Sequence, residues 1–218
     1  DGAAFISQAE KNGAAAVLAR SGAKTVLPLI IDETPRRRLA RMAARFYPRQ
    51  PRFIAAVTGT NGKTSTAIFS AALWTMLGIN SGSLGTLGAR SANYERKLSH
   101  TTPEPVTLHE TLDAMAGAGV THLAMETSSH ALAQCRADGV NFSTAAFTNI
   151  TQDHLDYHED FAAYFDAKKR LFRDLLPDSG SVVVNMDGEG GDEMATLARA
   201  RGLRSITTGA RGETLKAM

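Results

Sequence analysis

Cysteine is nearly absent from this sequence, since Cys135 is the only one among 218 residues. A single cysteine excludes an internal disulfide and any zinc cluster built from cysteine ligands. It also favours a reducing compartment, so we expect a cytoplasmic protein. A lone cysteine is more often a small packing residue than a catalytic thiol, and Cys135 is given no chemical role.

Long apolar runs and an excess of charge of one sign are also lacking. No stretch approaches the roughly 20 apolar residues that span a bilayer, so no membrane span is expected. The 24 lysines and arginines nearly balance the 22 aspartates and glutamates, and residues 36–38, all arginine, form the densest basic cluster. Because that cluster falls in a helical pattern, we interpret it as a solvated helix face. We expect a monomer that binds neither membranes nor nucleic acids.

The start of the chain, DGAAF, has no initiator methionine and no signal-peptide pattern, which is typical of a fragment. Residues 1–31 predict a helix and two short strands, and Thr34 followed by Pro35 is suited to begin a second helix. Two prolines in YPRQP, residues 47–51, indicate a linker. We therefore predict that residues 1–50 are part of a small α/β domain with its linker and that residues 51–218 are a second domain.

Beyond the linker, apolar strand-like runs alternate with helical patterns. The predicted strands are FIAAVTG (53–59), HLAMETS (122–128), TAAFTNI (144–150), SVVVN (181–185) and SITTG (205–209). The predicted helices cover residues 63–77, 105–117, 160–174 and 190–201. Continuous apolar runs are typical of strands covered on both faces. The pattern predicts an α/β fold, a mostly parallel sheet flanked by helices, with the ligand site at the carboxyl ends of the strands.

The stretch VTGTNGKTS, residues 57–65, has the composition of a phosphate-binding loop between a strand and a helix. Its glycines allow close backbone approach, Lys63 could reach the β- and γ-phosphates, and the Thr64 hydroxyl could bind Mg²⁺. The common spelling of such loops has a glycine where this sequence has Val57. The alternative is a hairpin turn at Asn-Gly, but a hairpin should be followed by a strand, and a helical pattern follows here.

Polar side chains follow two other predicted strands. Within HLAMETS the strand is expected to end at Glu126, and within TAAFTNI at Asn149. A carboxylate at this edge of the sheet could bind a metal that is also held by phosphates. A buried or helix-capping glutamate is the alternative. The loop after Asn149 is rich in acidic and histidine side chains: Asp153, His154, Asp156 and His158. Their spacing is too loose to predict a zinc site.

Several further polar residues are ambiguous when each is taken alone. Lys168 and Lys169 lie on consecutive helical positions about 100° apart, so one can face a site while the other faces solvent. A pair of solvated lysines is the alternative. Other candidates lie in HTTPEP and METSSHALAQCR, where a loop or capping role is equally consistent with the pattern: Thr101, Thr102, Ser128, Gln134 and Arg136.

Taken together, five segments resemble the Mur ligase family, ATP-dependent ligases that build the peptidoglycan stem peptide. They are VTGTNGKTS, HTTPEP, METSSHALAQCR, FTNITQDHLDYH and YFDAKKRLF, in this order. The loop spelling of this family is G-T-x-G-K-[ST], which accounts for Val57. The resemblance covers essentially the whole chain. It implies that residues 51–218 are an incomplete central ATPase domain, that a C-terminal domain for the amino acid is absent, and that the fragment alone is inactive.

The resemblance also implies roles for individual residues. The ATP phosphates would be held by Gly59, Thr60, Asn61, Gly62, Lys63, Thr64 and Ser65. Two Mg²⁺ ions would be held by Thr64, Glu126, His154 and Lys168, the last as a carbamate formed with CO₂. Lys63, Glu126, His154 and Lys168 would be the catalytic residues. The substrate would contact Thr101, Thr102, Ser128, Gln134 and Arg136.

The implied reaction is amide-bond formation. Within the family, the motifs resemble the members that add the third amino acid to UDP-MurNAc-L-Ala-D-Glu through an acyl phosphate. We expect meso-diaminopimelate rather than L-lysine, because it is the commoner choice in the family. Two alternatives stay open: another superfamily member, such as a folylpolyglutamate or cyanophycin synthetase, and a nucleotide-binding fragment without activity. The first should not carry METSSHALAQCR beside HTTPEP.

Overall fold

The computed structural model describes residues 2–152 and 157–216. Its N-terminal part has the order expected for residues 1–31, a helix and two strands, followed by a longer helix. These elements are α1 (Ile6–Lys11), β1 (Val17–Ala19), β2 (Leu29–Ile31) and α2 (Pro35–Phe46), with β1 and β2 paired in parallel. Helix α2 begins at Pro35 as predicted, and Thr34 precedes it. The Thr34 hydroxyl donates to Asp32 Oδ1 (3.2 Å) and does not accept a hydrogen bond from the helix.

The rest of the described chain forms a nine-stranded sheet. Its strands are β3 (Phe53–Thr58), β4 (Ser81–Gly85), β5 (Gly88–Ser91), β6 (Tyr94–Arg96), β7 (His122–Glu126), β8 (Thr144–Phe147), β9 (Ser181–Asn185), β10 (Arg204–Gly209) and β11 (Leu215–Lys216). Their order across the sheet is β11-β10-β9-β8-β3-β7-β4-β5-β6. Only the β4–β5 and β5–β6 pairs are antiparallel. The predicted α/β fold with a mostly parallel sheet is confirmed.

Five helices follow the linker in the described residues. They are α3 (Lys63–Met76), α4 (Pro105–Gly117), α5 (Ser129–Ala133), α6 (Phe161–Arg170) and α7 (Gly191–Ala200). Four of them match the predicted helices within a few residues. Helix α6 gives way to a wider π-type turn, Leu171–Leu175, where the sequence predicts a continuous helix. Within residues 2–152 and 157–216, no helix is long and apolar enough to cross a bilayer.

The core lies on both faces of the central strands. Strand β7 has four consecutive buried residues, which explains its continuous apolar run. Strand β7 and the strands around it contribute large side chains that are almost inaccessible to solvent: Ile54, Leu84, Leu123, Met125, Phe147, Val182 and Val184. Each such side chain contributes about 1.5–3 kcal/mol on burial, so the middle of the sheet is the most strongly stabilised part of the molecule.

Strands β4, β5 and β6 are not among the strands predicted from the sequence, which left the glycine-rich stretch SGSLGTLGAR, residues 81–90, without an assigned element. Glycine is unfavourable in strands, and these strands carry several polar residues. The packing nevertheless requires a glycine at position 82, because a Cβ on Gly82 would lie 2.7 Å from both Arg90 O and Met115 Cε. Gly88, with φ of 92°, allows the tight connection between β4 and β5. These glycines therefore reflect close packing.

Side chains around the linker attach the N-terminal part to the sheet domain. Arg49 Nη2 lies 2.7 Å from Asp113 Oδ2 on α4, and this contact lowers the pKa of the Asp113 carboxyl. Gln50 donates to Gly139 O (2.8 Å) and accepts from Asn141 N (2.9 Å). Helix α2 itself packs against α4. Two adjacent residues of the proposed linker, Arg49 and Gln50, are thus bonded to the sheet domain, and the domain boundary at residue 50 stays a prediction.

Two isoleucines test the stability assigned to the centre of the sheet. Ile54 is fully buried in β3, whereas Ile31 at the end of β2 is 58% exposed. We expect Ile54→Ala to lower the free energy of unfolding by about 2–5 kcal/mol, because it leaves a cavity. Ile31→Ala should change that free energy by less than about 0.5 kcal/mol. Urea denaturation of both variants measures the difference, and equal losses would contradict this account of the core.

Candidate active site

A cavity of about 680 Å³ opens at the carboxyl ends of three neighbouring strands. Strands β3 and β7 pair in parallel with Val57 opposite Glu126, and β4 pairs with β7 so that Leu84 lies opposite Met125. Polar residues that follow these strands therefore meet at one edge of the sheet. The lining residues are Thr60, Asn61, Gly62, Lys63, Thr64, Thr86, Ser99, His100, Thr101, Thr102, Glu126, Ser128, Ser129, His130, Arg136 and Lys168.

The loop between β3 and α3 has the backbone of a phosphate cradle. Gly59 has a φ of 149° and Gly62 a φ of 85°, both in the region that favours glycine. A Cβ at Gly59 would lie 1.9 Å from Thr148 Oγ1, so any side chain there would displace the neighbouring segment. Lys63 begins α3, and its Nζ donates to the carbonyls of Gly59 (2.9 Å) and Thr60 (2.8 Å). A helix N-terminus and an ammonium group therefore lie together at the loop, an arrangement that favours the binding of an anion.

Glu126, at the end of β7, is only 2% exposed. Its Oε2 accepts from the Thr64 hydroxyl (2.8 Å), and its Oε1 accepts from the Thr86 amide (2.8 Å). Gly85 makes room for this carboxylate, since a Cβ there would lie 2.0 Å from Oε1. A hydroxyl and a carboxylate oxygen in contact beside a phosphate-binding loop are the hard donors that Mg²⁺ prefers. The residues present therefore fit a Mg²⁺ ion at this position.

The two consecutive lysines on α6 point in different directions. Lys168 is 1% exposed, and its Nζ donates to Gly59 O (2.9 Å) and lies 4.3 Å from the centroid of the Tyr164 ring. Lys169 instead donates to Glu193 Oε1 on α7 (2.8 Å). Thr60 Oγ1 lies 3.0 Å from the Tyr164 hydroxyl, so α6 contacts the loop through a second side chain. Of the pair, Lys168 is the one that reaches the cavity.

The side of the cavity opposite the loop is built around Thr102. Its hydroxyl donates to Glu126 O (2.9 Å) and accepts from Ser128 N (3.1 Å). Arg136 Nη1 donates to Thr102 O (3.0 Å), and its Nη2 lies 2.7 Å from Glu104 Oε1. The Arg136 guanidinium also donates to Gln134 Oε1 from Nε (2.9 Å) and Nη2 (2.6 Å). Arg136 is thus fixed with its charge at the cavity wall.

Most of the residues singled out from the sequence line this cavity, while three of the described ones do not. Gly59 offers its carbonyl to the two lysines, Gln134 holds Arg136, and Ser65 is an exposed residue of α3. His154, together with Asp153 and Asp156, lies outside the described residues. Among residues 2–152 and 157–216, no three histidine, cysteine, aspartate or glutamate side chains are grouped to hold a metal.

Five lining residues were missed by the sequence analysis: Thr86, Ser99, His100, Ser129 and His130. Thr86 directly follows β4, so a prediction of that strand would have placed Thr86 at the carboxyl edge of the sheet. Ser99 and His100 precede Thr101 directly, so the motif HTTPEP indicated their position. The His130 ring packs against the Tyr157 ring with centroids 4.2 Å apart. No spacing in the sequence indicates that contact.

Cys135 lies between Gln134 and Arg136 and has a φ of 58°, a conformation that residues other than glycine seldom adopt. Burial raises the pKa of its thiol. A thiol that stays protonated is a poor nucleophile, so the structure gives Cys135 a place in a tight turn and no chemical role.

Comparisons with known proteins agree with this geometry. The Mur ligase middle domain matches residues 57–218. The UDP-N-acetylmuramoyl-L-alanyl-D-glutamate–2,6-diaminopimelate ligase of Bradyrhizobium diazoefficiens is 48% identical over 216 residues, covering 98% of this chain and 44% of the relative. The ligase of the same name from Chelativorans sp. (strain BNC1) is 42% identical, with 99% and 45% covered. A solved structure of a ligase with this name superposes with a TM-score of 0.83 at 29% identity, with 98% and 44% covered.

The chain therefore spans less than half the length of the curated relatives it matches. The matched part includes the glycine-rich loop, Glu126, Arg136 and Lys168, the residues that converge on the cavity. Since the middle-domain match extends over well more than half of the chain, the chain belongs to the Mur ligase family.

Proposed function

We propose that this chain is the ATP-binding part of a ligase that adds meso-diaminopimelate to UDP-MurNAc-L-Ala-D-Glu. The observation that carries the proposal is the convergence of the Thr64 hydroxyl, the Glu126 carboxylate and Lys168 on one glycine-rich loop. This arrangement suits phosphoryl transfer, in which charge on the phosphate oxygens must be stabilised. The names of the relatives supply the substrate and the amino acid.

The phosphate side of the cavity would hold ATP. The loop of residues 59–65 would surround the phosphates, and Lys63 would exchange its two carbonyl acceptors for oxygens of the transferred phosphoryl group. Bound Mg²⁺ would neutralise charge on the phosphate oxygens, with Thr64 Oγ1 and a Glu126 oxygen among its donors. The chain contributes fixed positions and charges to this step and no covalent nucleophile.

The proposed reaction has two balanced steps. In the first, an oxygen of the D-glutamate γ-carboxylate attacks the γ-phosphorus of ATP, the bond to the bridging oxygen breaks, and ADP leaves with that electron pair. In the second, the amine of diaminopimelate attacks the acyl carbon, loses a proton, and expels inorganic phosphate. The first step requires the carboxylate and the γ-phosphate to meet in line, which the opposed walls of the cavity favour.

Lys168 has a specific part in this proposal. A carbamate formed from its amine and CO₂ would replace a buried cation by an anionic oxygen ligand beside the loop. The support is the burial of Lys168 and its contact with Gly59 O, which places the amine at the phosphate site. His154 would be a further metal ligand; it lies outside the described residues, and its role rests on the motif alone.

The other wall would bind the UDP-linked dipeptide. Thr101, Thr102, Ser128 and Arg136 line this wall, and Gln134 supports Arg136. Hydroxyl groups and one guanidinium suit a ligand with sugar hydroxyls, amides and carboxylates. We further propose a monomeric cytoplasmic enzyme, since ATP and a UDP-linked precursor are cytoplasmic substrates. Residues 1–50 would belong to its preceding domain and residues 51–218 to its central domain.

Phosphate release by the full-length protein that carries this chain tests the proposed function. With ATP, Mg²⁺ and UDP-MurNAc-L-Ala-D-Glu, we expect release that depends on meso-diaminopimelate and is much slower with L-lysine. The 218-residue chain alone should not turn over. Release with lysine alone would contradict the amino-acid assignment, and turnover of a folate or cyanophycin precursor instead would contradict the substrate assignment.

Two variants of Thr64 test its hydroxyl. Thr64→Val keeps the shape of the side chain but removes the donor to Glu126 and the oxygen offered to Mg²⁺. We expect the Mg²⁺ concentration for half-maximal turnover to rise about 10- to 100-fold. Thr64→Ser retains the hydroxyl and should retain most of the activity. A valine variant with an unchanged Mg²⁺ dependence would remove Thr64 from the metal site.

The two lysines of α6 form a second matched pair. We expect Lys168→Ala to lower kcat on the order of 100-fold or more, since it removes a charged group from the reaction site. Lys169→Ala should be close to wild type, because Lys169 contacts Glu193 outside the cavity. Native mass spectrometry in bicarbonate buffer should show one added CO₂ in the wild type and none in Lys168→Ala. An active enzyme with unmodified Lys168 would rule out the carbamate.

A further inference from the structure

A buried carboxylate links the two walls of the cavity from behind. Asp138 is 1% exposed and follows Arg136 by two residues. Both of its oxygens accept from Arg170 Nη2 (2.8 Å each), and Oδ1 lies 3.0 Å from Arg37 Nε on α2. Arg170 in turn follows Lys168 by two residues on α6. One carboxylate therefore joins the turn that carries Arg136 to the helix that carries Lys168.

The turn itself is held in an unusual shape. Cys135 and Gly139 both have positive φ, 58° and 90°, and the buried Ala137 and Asp138 lie between them. A Cβ at Gly139 would lie 2.8 Å from Ala44 Cβ on α2, so the turn fits closely against that helix. Side chains within it therefore divide: Arg136 faces the cavity, and Asp138 faces the packed interior.

These contacts complete a ring around the cavity. Lys168 donates to Gly59 O, and Thr64 at the other end of the loop donates to Glu126. The ring continues from the Glu126 carbonyl to Thr102 and from the Thr102 carbonyl to Arg136. The pair of Asp138 with Arg170 closes it, and Arg170 Nη1 adds a hydrogen bond to Leu132 O on α5 (2.9 Å).

We propose that Asp138 is a positioning residue, which sets the distance between Arg136 on the substrate wall and Lys168 on the phosphate wall. This inference rests on the proposed function for its effect on catalysis. Removing the carboxylate charge leaves Arg170, whose side chain is 14% exposed, and the more exposed Arg37 (39%) without their shared anion. An uncompensated charge is unfavourable at a largely buried position such as that of Arg170. The turn and α6 then move apart, and the distance between Arg136 and Lys168 is no longer fixed.

A second arginine–carboxylate pair provides the matched control. Asp113 on α4 accepts from Arg49 and also attaches the N-terminal part to the sheet domain, but neither residue lines the cavity. Asp113→Asn therefore removes an attachment of the same chemical kind without touching the ring. Asp138→Asn removes the ion pair that belongs to the ring. A difference in catalysis between the two variants therefore shows the effect of losing an ion pair inside the ring of contacts rather than elsewhere.

The experiment measures kcat and the KM for the UDP-linked dipeptide in the full-length protein, per folded molecule. For Asp138→Asn we expect kcat to fall about 10- to 100-fold, because a displacement of about 1 Å is enough for such a loss, and KM to rise with it. Asp138→Glu should recover part of the loss, and Asp113→Asn should match the wild type. If Asp138→Asn does not fold, Arg170→Lys serves in its place. This variant keeps the positive charge but loses one of the two hydrogen bonds to Asp138, so kcat should fall by a smaller factor.

Hydrogen exchange of the same proteins gives a readout that does not need turnover. We expect Asp138→Asn to accelerate exchange in residues 129–138 and 161–170 together, and Asp113→Asn to leave both segments unchanged. Unchanged kinetics in folded Asp138→Asn, equal kinetic losses in both variants, or faster exchange in only one segment would overturn the proposal. If the wild type releases no phosphate, the proposed function fails, while the exchange result still decides whether Asp138 couples the two segments.

Discussion

The arrangement of the cavity depends on one buried carboxylate. Glu126 is nearly inaccessible to water, and burying an ionised group is unfavourable unless hydrogen bonds or a cation compensate it. The Thr64 hydroxyl and the Thr86 amide provide two of these bonds, so the glycine-rich loop and the end of β4 must both approach β7. Gly85 follows from the same constraint, because any side chain there would occupy the space of the carboxylate.

The parallel pairing of the central strands explains why chemically unrelated segments meet here. Strand β3 lies between β7 and β8, so the residues after all three strands share one edge. Asn149, after β8, accepts from the Asn61 amide through its side chain (3.0 Å) and from the Thr60 amide through its carbonyl (2.9 Å). These bonds fix the loop from the side opposite Glu126. The segments that follow the neighbouring strands therefore hold the loop from both sides, in addition to the bonds that Lys63 makes within it.

The parts of the fold predicted correctly have long apolar runs or strong helical periods. Strands β3, β7 and β9 are continuous apolar runs, which predict strands directly from the sequence. Most residues of β3 and β7 are buried, whereas β9 alternates between buried and half-buried residues. Strands β4 to β6 could not be found this way, because close approach at Gly82 selects glycine where propensity favours other residues. For the same reason Thr86 was missed. Which of Lys168 and Lys169 faces the cavity depends on how α6 packs against the sheet. Their adjacent positions in the sequence predict that they point in different directions, but not which one points inward.

The charges around the cavity explain why the state of Lys168 matters for the proposed reaction. As an unmodified ammonium group, Lys168 adds to the positive charges of Lys63 and Arg136, with Glu126 as the buried anion among the described lining residues. This excess of positive charge favours the binding of a polyanion but disfavours a divalent cation close to α6. Carbamate formation replaces a positive by a negative charge at the same position, which favours a cation between α6 and the phosphates. In the proposed reaction, the state of this one buried side chain would decide whether the wall attracts phosphate directly or through a metal ion.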